Sequence, residues 1–182
     1  MRKILLSLLT GSLLVSFAFA GTQDFTPADK VTVPATVKVS GTPVSQGGDT
    51  MGDAALVFGL PFYACGTTVG YTDDYDEQCP YTGSTAPDVV YTFAPSADML
   101  IDVTLCDDNT ECLTTYDTKL YIYDGAGALV ACNDDACASI GYPYSYVSAL
   151  DGVELFAGSV YYIIVDGYGG EEGNYALNIV EA

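Results

Sequence analysis

The apolar residues of this chain fall into short runs with strand-like alternation, and this feature restricts the fold more than any other. In the run "MLIDVTL", one face of a strand would carry four apolar side chains, those of Met99, Ile101, Val103 and Leu105. After residue 20 no window sustains the 3.6-residue period of an amphipathic helix. Short strands separated by turn residues predict an all-β fold, an antiparallel β-sandwich. The predicted strands are residues 31–39, 54–59, 88–93, 99–105, 119–124, 128–132, 144–150, 153–156, 160–167 and 174–180.

Three segments predict more specific features of the sandwich. In "KLYIYD", the alternation points Leu120 and Ile122 inward and Tyr121 and Tyr123 outward. The run "VYYIIV" is apolar on both faces, which predicts a central strand that is covered on both sides. The glycine-rich segment 166–175 predicts a hairpin before the last strand, and its glycine spacing does not match a nucleotide-binding loop.

The N-terminal region predicts export from the cell. Residues 1–20 have a basic start, an apolar stretch and a small-residue cleavage site, as in a secretory signal peptide. That stretch is shorter than a bilayer span and no second one follows it, so we expect a secreted protein without a membrane span. Residues 21–45 are interpreted either as a loose leader with an edge strand, or as a donor strand for a neighbouring copy. The β-sandwich domain is predicted for residues 46–182.

The charge balance excludes several classes of function. Without residues 1–20, three lysines remain against 24 acidic residues, a formal net charge of −21. Nucleic acid and anionic membrane surfaces would be repelled. The chain has no histidine, so Ser–His and Cys–His catalytic pairs cannot form and we expect a protein that is not an enzyme. Its 49% of apolar residues nevertheless allow a folded core.

Six cysteines in an exported chain predict three disulfides. Sequence alone does not fix the connectivity, but the spacing favours neighbouring partners: Cys65 with Cys79, Cys106 with Cys112, and Cys132 with Cys137. Each bridge would close a short loop and contribute about 2–3 kcal/mol in the chain-entropy model. A zinc site made of thiolates would need CxxC-type spacing, which the sequence lacks.

Five segments between about residue 49 and residue 180 have a characteristic order and spacing. They are "GDT", "APDVVYTF", "YDTKLYIYDGAG", "ACNDD" and "LFAGSVYYIIVDGYGGEEGNYALNI". Together they resemble the bacterial pre-peptidase C-terminal domain family, which includes the collagen-binding modules of bacterial collagenases. The resemblance implies a jelly-roll-like β-sandwich that often binds calcium and is usually appended to a secreted enzyme. No enzyme accompanies the pattern here, so we expect the domain to act on its own or with itself.

Acidic residues are concentrated around two predicted strands in residues 116–137, where Lys119 is the only basic residue. Carboxylate and amide oxygens suit calcium, which takes about six to eight oxygen ligands. The resemblance implies ligation by the residues of this region and by Asp88, and Asp124 ends one of the two strands. The candidate ligands are Asp117, Asn133, Asp134, Asp135, Asp88 and Asp124. The alternative is that these residues only solubilise turns.

A second acidic segment, residues 72–79, carries a fragment of a calcium-loop pattern in Asp74, Asp76 and Gln78. It lacks the glycine and the distal glutamate of the full pattern. We interpret it as solvated charge rather than as a second cation site.

Tyrosines alternate in "GYPYSYV", and another occupies the glycine-rich segment. Exposed tyrosines on one face could contact a sugar ring or a protein partner. The candidate contact residues are Tyr142, Tyr144, Tyr146 and Tyr168. The alternative is that they cover sheet surface and pair across strands.

Together these features predict a secreted, non-catalytic, calcium-stabilised β-sandwich. We expect a structural or adhesive extracellular subunit that self-assembles into filaments or surface layers once a divalent cation screens its charge. The alternative function is a module that binds an extracellular polysaccharide or matrix protein.

Overall fold

The computed structural model describes residues 46–79, 84–107 and 112–182. This part of the chain forms nine strands in two sheets packed face to face, so the predicted all-β sandwich is confirmed. The strands are β1 (Ala55–Leu56), β2 (Phe62–Thr67), β3 (Val89–Phe93), β4 (Met99–Thr104), β5 (Thr118–Asp124), β6 (Leu129–Asn133), β7 (Ala149–Leu155), β8 (Tyr161–Gly167) and β9 (Asn174–Glu181). The described residues contain no helix that could span a membrane.

One sheet has five strands in the order β1-β3-β8-β5-β6, and the other has four in the order β2-β9-β4-β7. Neighbouring strands are antiparallel except β1 and β3, which are parallel. β8 lies at the centre of the five-stranded sheet and is almost fully buried, as its uninterrupted apolar sequence predicts.

The main core lies between the two sheets, where strand alternation directs the apolar side chains. In β4, Ile101 and Val103 are fully buried, and Leu105 continues the same face, which confirms the predicted alternation. Opposite them, the five-stranded sheet contributes its inner face. The large fully buried side chains of this core include Tyr91, Leu120, Ile122, Leu155, Ile163 and Tyr175.

A second, smaller core covers the outer face of the five-stranded sheet, the face that points away from the four-stranded sheet. Tyr121 and Tyr123 lie on this face, opposite to Leu120 and Ile122 as predicted. They are buried, however, because residues 72–79 cross over them; we call this segment the strap. Tyr75 of the strap packs against Tyr123, with ring centroids 6.3 Å apart.

Three strand predictions differ from the structure. β2 was not predicted, because "FYACGT" is short and contains a glycine and a cysteine. Residues 144–150 and 153–156, predicted as two strands, contribute to the single strand β7. Residues 166–175 are not a hairpin: β8 pairs with β3 and β5, whereas β9 pairs with β2 and β4, so this segment connects the two sheets. The predicted strand at 31–39 lies outside the described residues.

All six cysteines form disulfides, as predicted, but the neighbour pairing is wrong. The bridges join Cys65 to Cys112, Cys79 to Cys132 and Cys106 to Cys137, with Cα–Cα distances of 5.6, 5.8 and 6.1 Å. Sheet pairing and packing bring these residues together across 47, 53 and 31 positions of sequence, which local spacing could not reveal. Cross-links over longer loops remove more unfolded-state entropy in the chain-entropy model. The expected stabilisation is therefore about 4 kcal/mol for each bridge, rather than about 2–3 kcal/mol.

Candidate metal centre

Three acidic side chains converge where β5 begins and β6 ends. Asp117 directly precedes β5, and Asp134 and Asp135 directly follow β6. Because the two strands are antiparallel neighbours, the start of one lies beside the end of the other. One carboxylate oxygen from each residue lies within 4.8 Å of the other two, and we call these three residues the acidic triad. Asp117 and Asp134 are buried, whereas Asp135 is partly exposed.

Backbone contacts from several segments hold the triad in place. The N–H of Asp117 donates to Glu171 Oε2 at 3.0 Å, and its carbonyl accepts from the N–H of Tyr168 at 3.0 Å. The hydroxyl of Ser148 lies 2.8 Å from the carbonyl of Asp134. The segment after Asp135 is fixed by the Cys106–Cys137 bridge, so a covalent link to the opposite sheet stabilises the same loop.

Tyr142 adds a neutral oxygen to this region. Its side chain is buried, and its hydroxyl has no hydrogen-bond partner among the described residues. Burial, followed by the negative charges of Glu171 and Asp117, raises the pKa of this hydroxyl. A buried hydroxyl with no hydrogen bond, within the electrostatic influence of Asp117, would be satisfied by a bound water molecule.

The chemistry of the triad suits a hard cation. Three carboxylates at these distances repel one another when ionised, and a divalent ion between them turns the repulsion into attraction. Calcium accepts carboxylate, carbonyl and water oxygens in tolerant geometry. The triad supplies three anionic ligands, which leaves the remaining positions to neutral oxygens and solvent.

Two of the other predicted ligands, Asp88 and Asp124, lie outside the triad. Asn133 is adjacent, but its Oδ1 accepts from the N–H of Ala149 at 3.1 Å, so the amide ties β6 to β7. Asp124 lies at the far end of β5, where its Oδ1 accepts from the N–H groups of Ala126 and Ala128, both at 2.9 Å. This is the turn-stabilising role of aspartate that was the alternative interpretation.

Asp88 directly precedes β3, which β8 separates from β5 in the five-stranded sheet. It is fully buried, and its Oδ2 accepts from the N–H groups of Asp74 and Tyr75 in the strap, both at 2.9 Å. Burial, as the largest cause, raises the pKa of Asp88 to about 7. Asp88 therefore anchors the strap to the outer face of the sheet.

The strap itself carries exposed acids, as expected, but two of them also make specific contacts. The ammonium of Lys119 is 1% exposed and donates to Asp76 Oδ1 at 2.7 Å and to the carbonyl of Glu77 at 2.6 Å. The hydroxyl of Tyr123 donates to Glu77 Oε1 at 2.8 Å. The carboxylate of Asp76 therefore compensates the buried charge of Lys119, to which Glu77 adds its backbone carbonyl.

The four predicted contact tyrosines do not form a common exposed face. Tyr142 and Tyr168 are buried, Tyr146 is partly buried, and Tyr144 is 42% exposed. The rings of Tyr142, Tyr144 and Tyr146 pack in series, with centroid distances of 5.5 and 6.2 Å. Most of their surface is therefore used within the fold.

Sequence reasoning missed two acidic residues, of which one contacts the triad and the other is buried on the outer face. Glu171 orients Asp117, and it was assigned only to a turn. Asp166 lies near the end of the central strand β8, on the outer face of the five-stranded sheet. The pairing of β3 with β8 places it next to Asp88. The signal for Asp166 was available, because an acid within a strand covered on both sides must itself be buried.

Neither the models of known protein families nor the curated proteins contain a match to this chain. The resemblance to the pre-peptidase C-terminal domain family accordingly stays a prediction from the sequence.

Proposed function

We propose that this protein is a non-catalytic, exported β-sandwich that binds calcium at the acidic triad and acts as a structural or adhesive subunit outside the cell. The observation that supports this most directly is the convergence of carboxylate oxygens from Asp117, Asp134 and Asp135 within 4.8 Å of one another. A site of oxygen donors favours a hard cation over a transition metal. The absence of histidine from the sequence supports the same choice.

The disulfides support a function outside the cell. Three bridges in a chain of this size are typical of oxidising compartments, and the described residues contain no free cysteine. Together with the predicted signal peptide they favour export.

Self-association is supported by charge and by the position of Gln46, the first residue that the structure describes. A net charge of −21 without the signal peptide keeps copies apart until a divalent cation screens or bridges them. Gln46 pairs through its side-chain amide with both the N–H and the carbonyl of Thr67, at 2.9 Å each, at the end of the edge strand β2. Gln46 thus lies beside a sheet edge, the kind of site at which a donor strand would act.

The calcium component is tested by melting the mature protein in calcium and in chelator. The expected result is a higher melting temperature in calcium, and loss of this difference in Asp134→Asn. Asp151→Asn removes the same charge from an exposed position of β7 and serves as the matched control, which should keep the full calcium effect. Equal melting of the wild type in calcium and chelator would refute calcium binding.

The assembly component is tested separately by light scattering and electron microscopy. Calcium-dependent filaments or sheets that vanish when residues 21–45 are deleted would support a self-assembling subunit. A monomer in both conditions that is retained on an insoluble glycan or on collagen would replace this proposal by the binding-module alternative.

A further inference from the structure

Asp166 is a fully buried acid on the outer face, outside the acidic triad. Its Oδ1 accepts from the N–H of Gly167 at 2.6 Å, and its Oδ2 lies 2.6 Å from the hydroxyl of Tyr121. The hydroxyl of Ser84 is 3.3 Å from Oδ1, but it donates to the carbonyl of Gly167 at 2.7 Å. The carboxyl group is therefore held in a defined orientation.

Counting protons around Tyr121 indicates the protonation state of Asp166. The Tyr121 hydroxyl has a single proton, yet two oxygens lie within hydrogen-bonding distance: Asp166 Oδ2 and, at 3.0 Å, the carbonyl of Tyr75 in the strap. A carbonyl can only accept, so this bond uses the proton of Tyr121. The contact with Asp166 is then a hydrogen bond if the carboxyl group carries a proton and donates it to Tyr121.

The charges that surround Asp166 favour the neutral acid. β3 contributes the buried carboxyl group of Asp88 beside it, whereas Asp76 of the strap is paired with Lys119. On β5, Lys119 is directly opposite Asp166 in register, but its ammonium donates to the strap. Burial is the largest cause and raises the pKa of Asp166 to about 8. Hydrogen bonds from Tyr121 and Gly167 to the carboxylate, together with the charge of Lys119, lower this pKa, whereas the negative charge of Asp88 raises it.

We propose that Asp166 is a proton-binding site that fastens the strap to the outer face in a pH-dependent way. Protonated Asp166 donates to Tyr121, and Tyr121 donates to the carbonyl of Tyr75. When Asp166 loses its proton, the hydroxyl of Tyr121 turns to the new carboxylate, because a charged acceptor binds it more strongly than a carbonyl does. The carbonyl of Tyr75 then loses its donor, and two buried anions, Asp166 and Asp88, face each other beneath the strap.

The sign of the pH dependence follows from linkage. The pKa of Asp166 is raised above its ordinary value of 3.8, so the folded protein binds this proton more tightly than the unfolded chain. Its contribution to stability is full at low pH and is lost as the pH rises from about 4 to about 8. The strap should therefore be most firmly attached in mildly acidic medium.

The test measures hydrogen-exchange protection factors of residues 72–79 at pH 6 and pH 9, with calcium held constant. Wild-type protection should fall by up to about 100-fold between pH 6 and pH 9, because the stabilisation by this proton decreases about tenfold for each pH unit until the pKa of about 8 is passed. Asp166→Asn should keep its protection at pH 9, because the amide can donate to Tyr121 and accept from Gly167 as the protonated acid does. Asp151→Asn is the matched control and should behave as the wild type.

Two further measurements keep the proposal open to refutation. Tyr121→Phe should show, at pH 6, the low strap protection of the wild type at pH 9, since it removes the link between Asp166 and the strap; unchanged protection would overturn the proposal. The proposal would also be overturned if Asp166→Asn had lower strap protection than the wild type, by the same factor, at both pH values. Asp166 would then act on the strap as an anion. If that variant fails to fold, the carboxyl carbon resonance of Asp166 in the wild type decides: titration near pH 8 supports the proposal, and an ionised group at pH 5 refutes it.

Discussion

Replacing Asp135 by asparagine should change the stability of the protein in opposite directions with and without calcium. Each pair of ionised carboxylates 4.8 Å apart repels by about 0.9 kcal/mol in bulk water and by about 3.5 kcal/mol at an effective dielectric constant of about 20. Asp135→Asn removes two of the three pairs, hence about 2–7 kcal/mol of repulsion. Because Asp135 is partly exposed, we expect a value near 2 kcal/mol, which would raise the melting temperature in chelator by about 6 °C.

In calcium the wild type should be more stable than Asp135→Asn, the reverse of their order in chelator. Calcium at 100 times its dissociation constant would stabilise the wild type by about 2.7 kcal/mol, and the variant has lost an anionic ligand. The assay is thermal unfolding followed by circular dichroism at low ionic strength, in chelator and across a calcium titration. Asp151→Asn is the charge-matched control and should shift both curves equally. A variant that is less stable than the wild type by the same amount in chelator and in calcium would refute the repulsion argument and, with it, the cation site.

Three other substitutions test the fold around the site. Removing the Cys106–Cys137 bridge by a double Cys→Ser change should lower the free energy of unfolding, measured in urea, by about 4 kcal/mol. Calcium should also bind more weakly, because the loop after Asp135 is released. Unchanged calcium affinity would show that the bridge does not support the site. Gly66→Ala should destabilise by about 1–3 kcal/mol, since its Cβ would meet the buried ring of Tyr175, whereas Gly59→Ala has open space and should be neutral in the same assay. Tyr175→Phe should cost about 1–3 kcal/mol because it removes the 2.7 Å bond to the hydroxyl of Tyr91, and a double-mutant cycle with Tyr91→Phe should show coupling between the two; additive losses would contradict that bond.

The strand pattern predicted the architecture because alternation and burial are local properties of the chain. β4 and β8 show this best: the faces of the first and the two-sided burial of the second follow from residue order alone. The disulfides could not be paired in the same way, since Cys79 and Cys132 meet only after the strap has crossed two strands of a folded sheet. Connectivity is thus a property of topology, which a single sequence with short strands does not specify.

The acidic triad was partly predictable for a related reason. Asp134 and Asp135 are adjacent in sequence, and an antiparallel pairing of β5 with β6 places Asp117 beside them, so three ligands could be chosen from the pattern. Asp88 was chosen from the family resemblance and Asp124 from its place at the end of a predicted strand, but the first anchors the strap and the second closes a turn. Whether a carboxylate faces a cation or a backbone N–H depends on a neighbour several strands away, and that neighbour is not visible in residue spacing.

Like charges that are held together in a fold need either a covalent constraint or a counter-charge, and this domain combines both at one end of β6. The Cys79–Cys132 and Cys106–Cys137 bridges lie on either side of Asp134 and Asp135 in the sequence, so the loop cannot move away to relieve repulsion without straining a disulfide. On the outer face the same problem has a different solution, because the carboxylate of Asp76 pairs with the ammonium of Lys119, and the charge of Asp166 can be removed by a proton. In the triad, a proton on one carboxylate would leave the other two still repelling. A divalent cation neutralises all three pairs at once, which is why the cross-linked loop, rather than the strap, is the part of the molecule whose stability should depend on calcium.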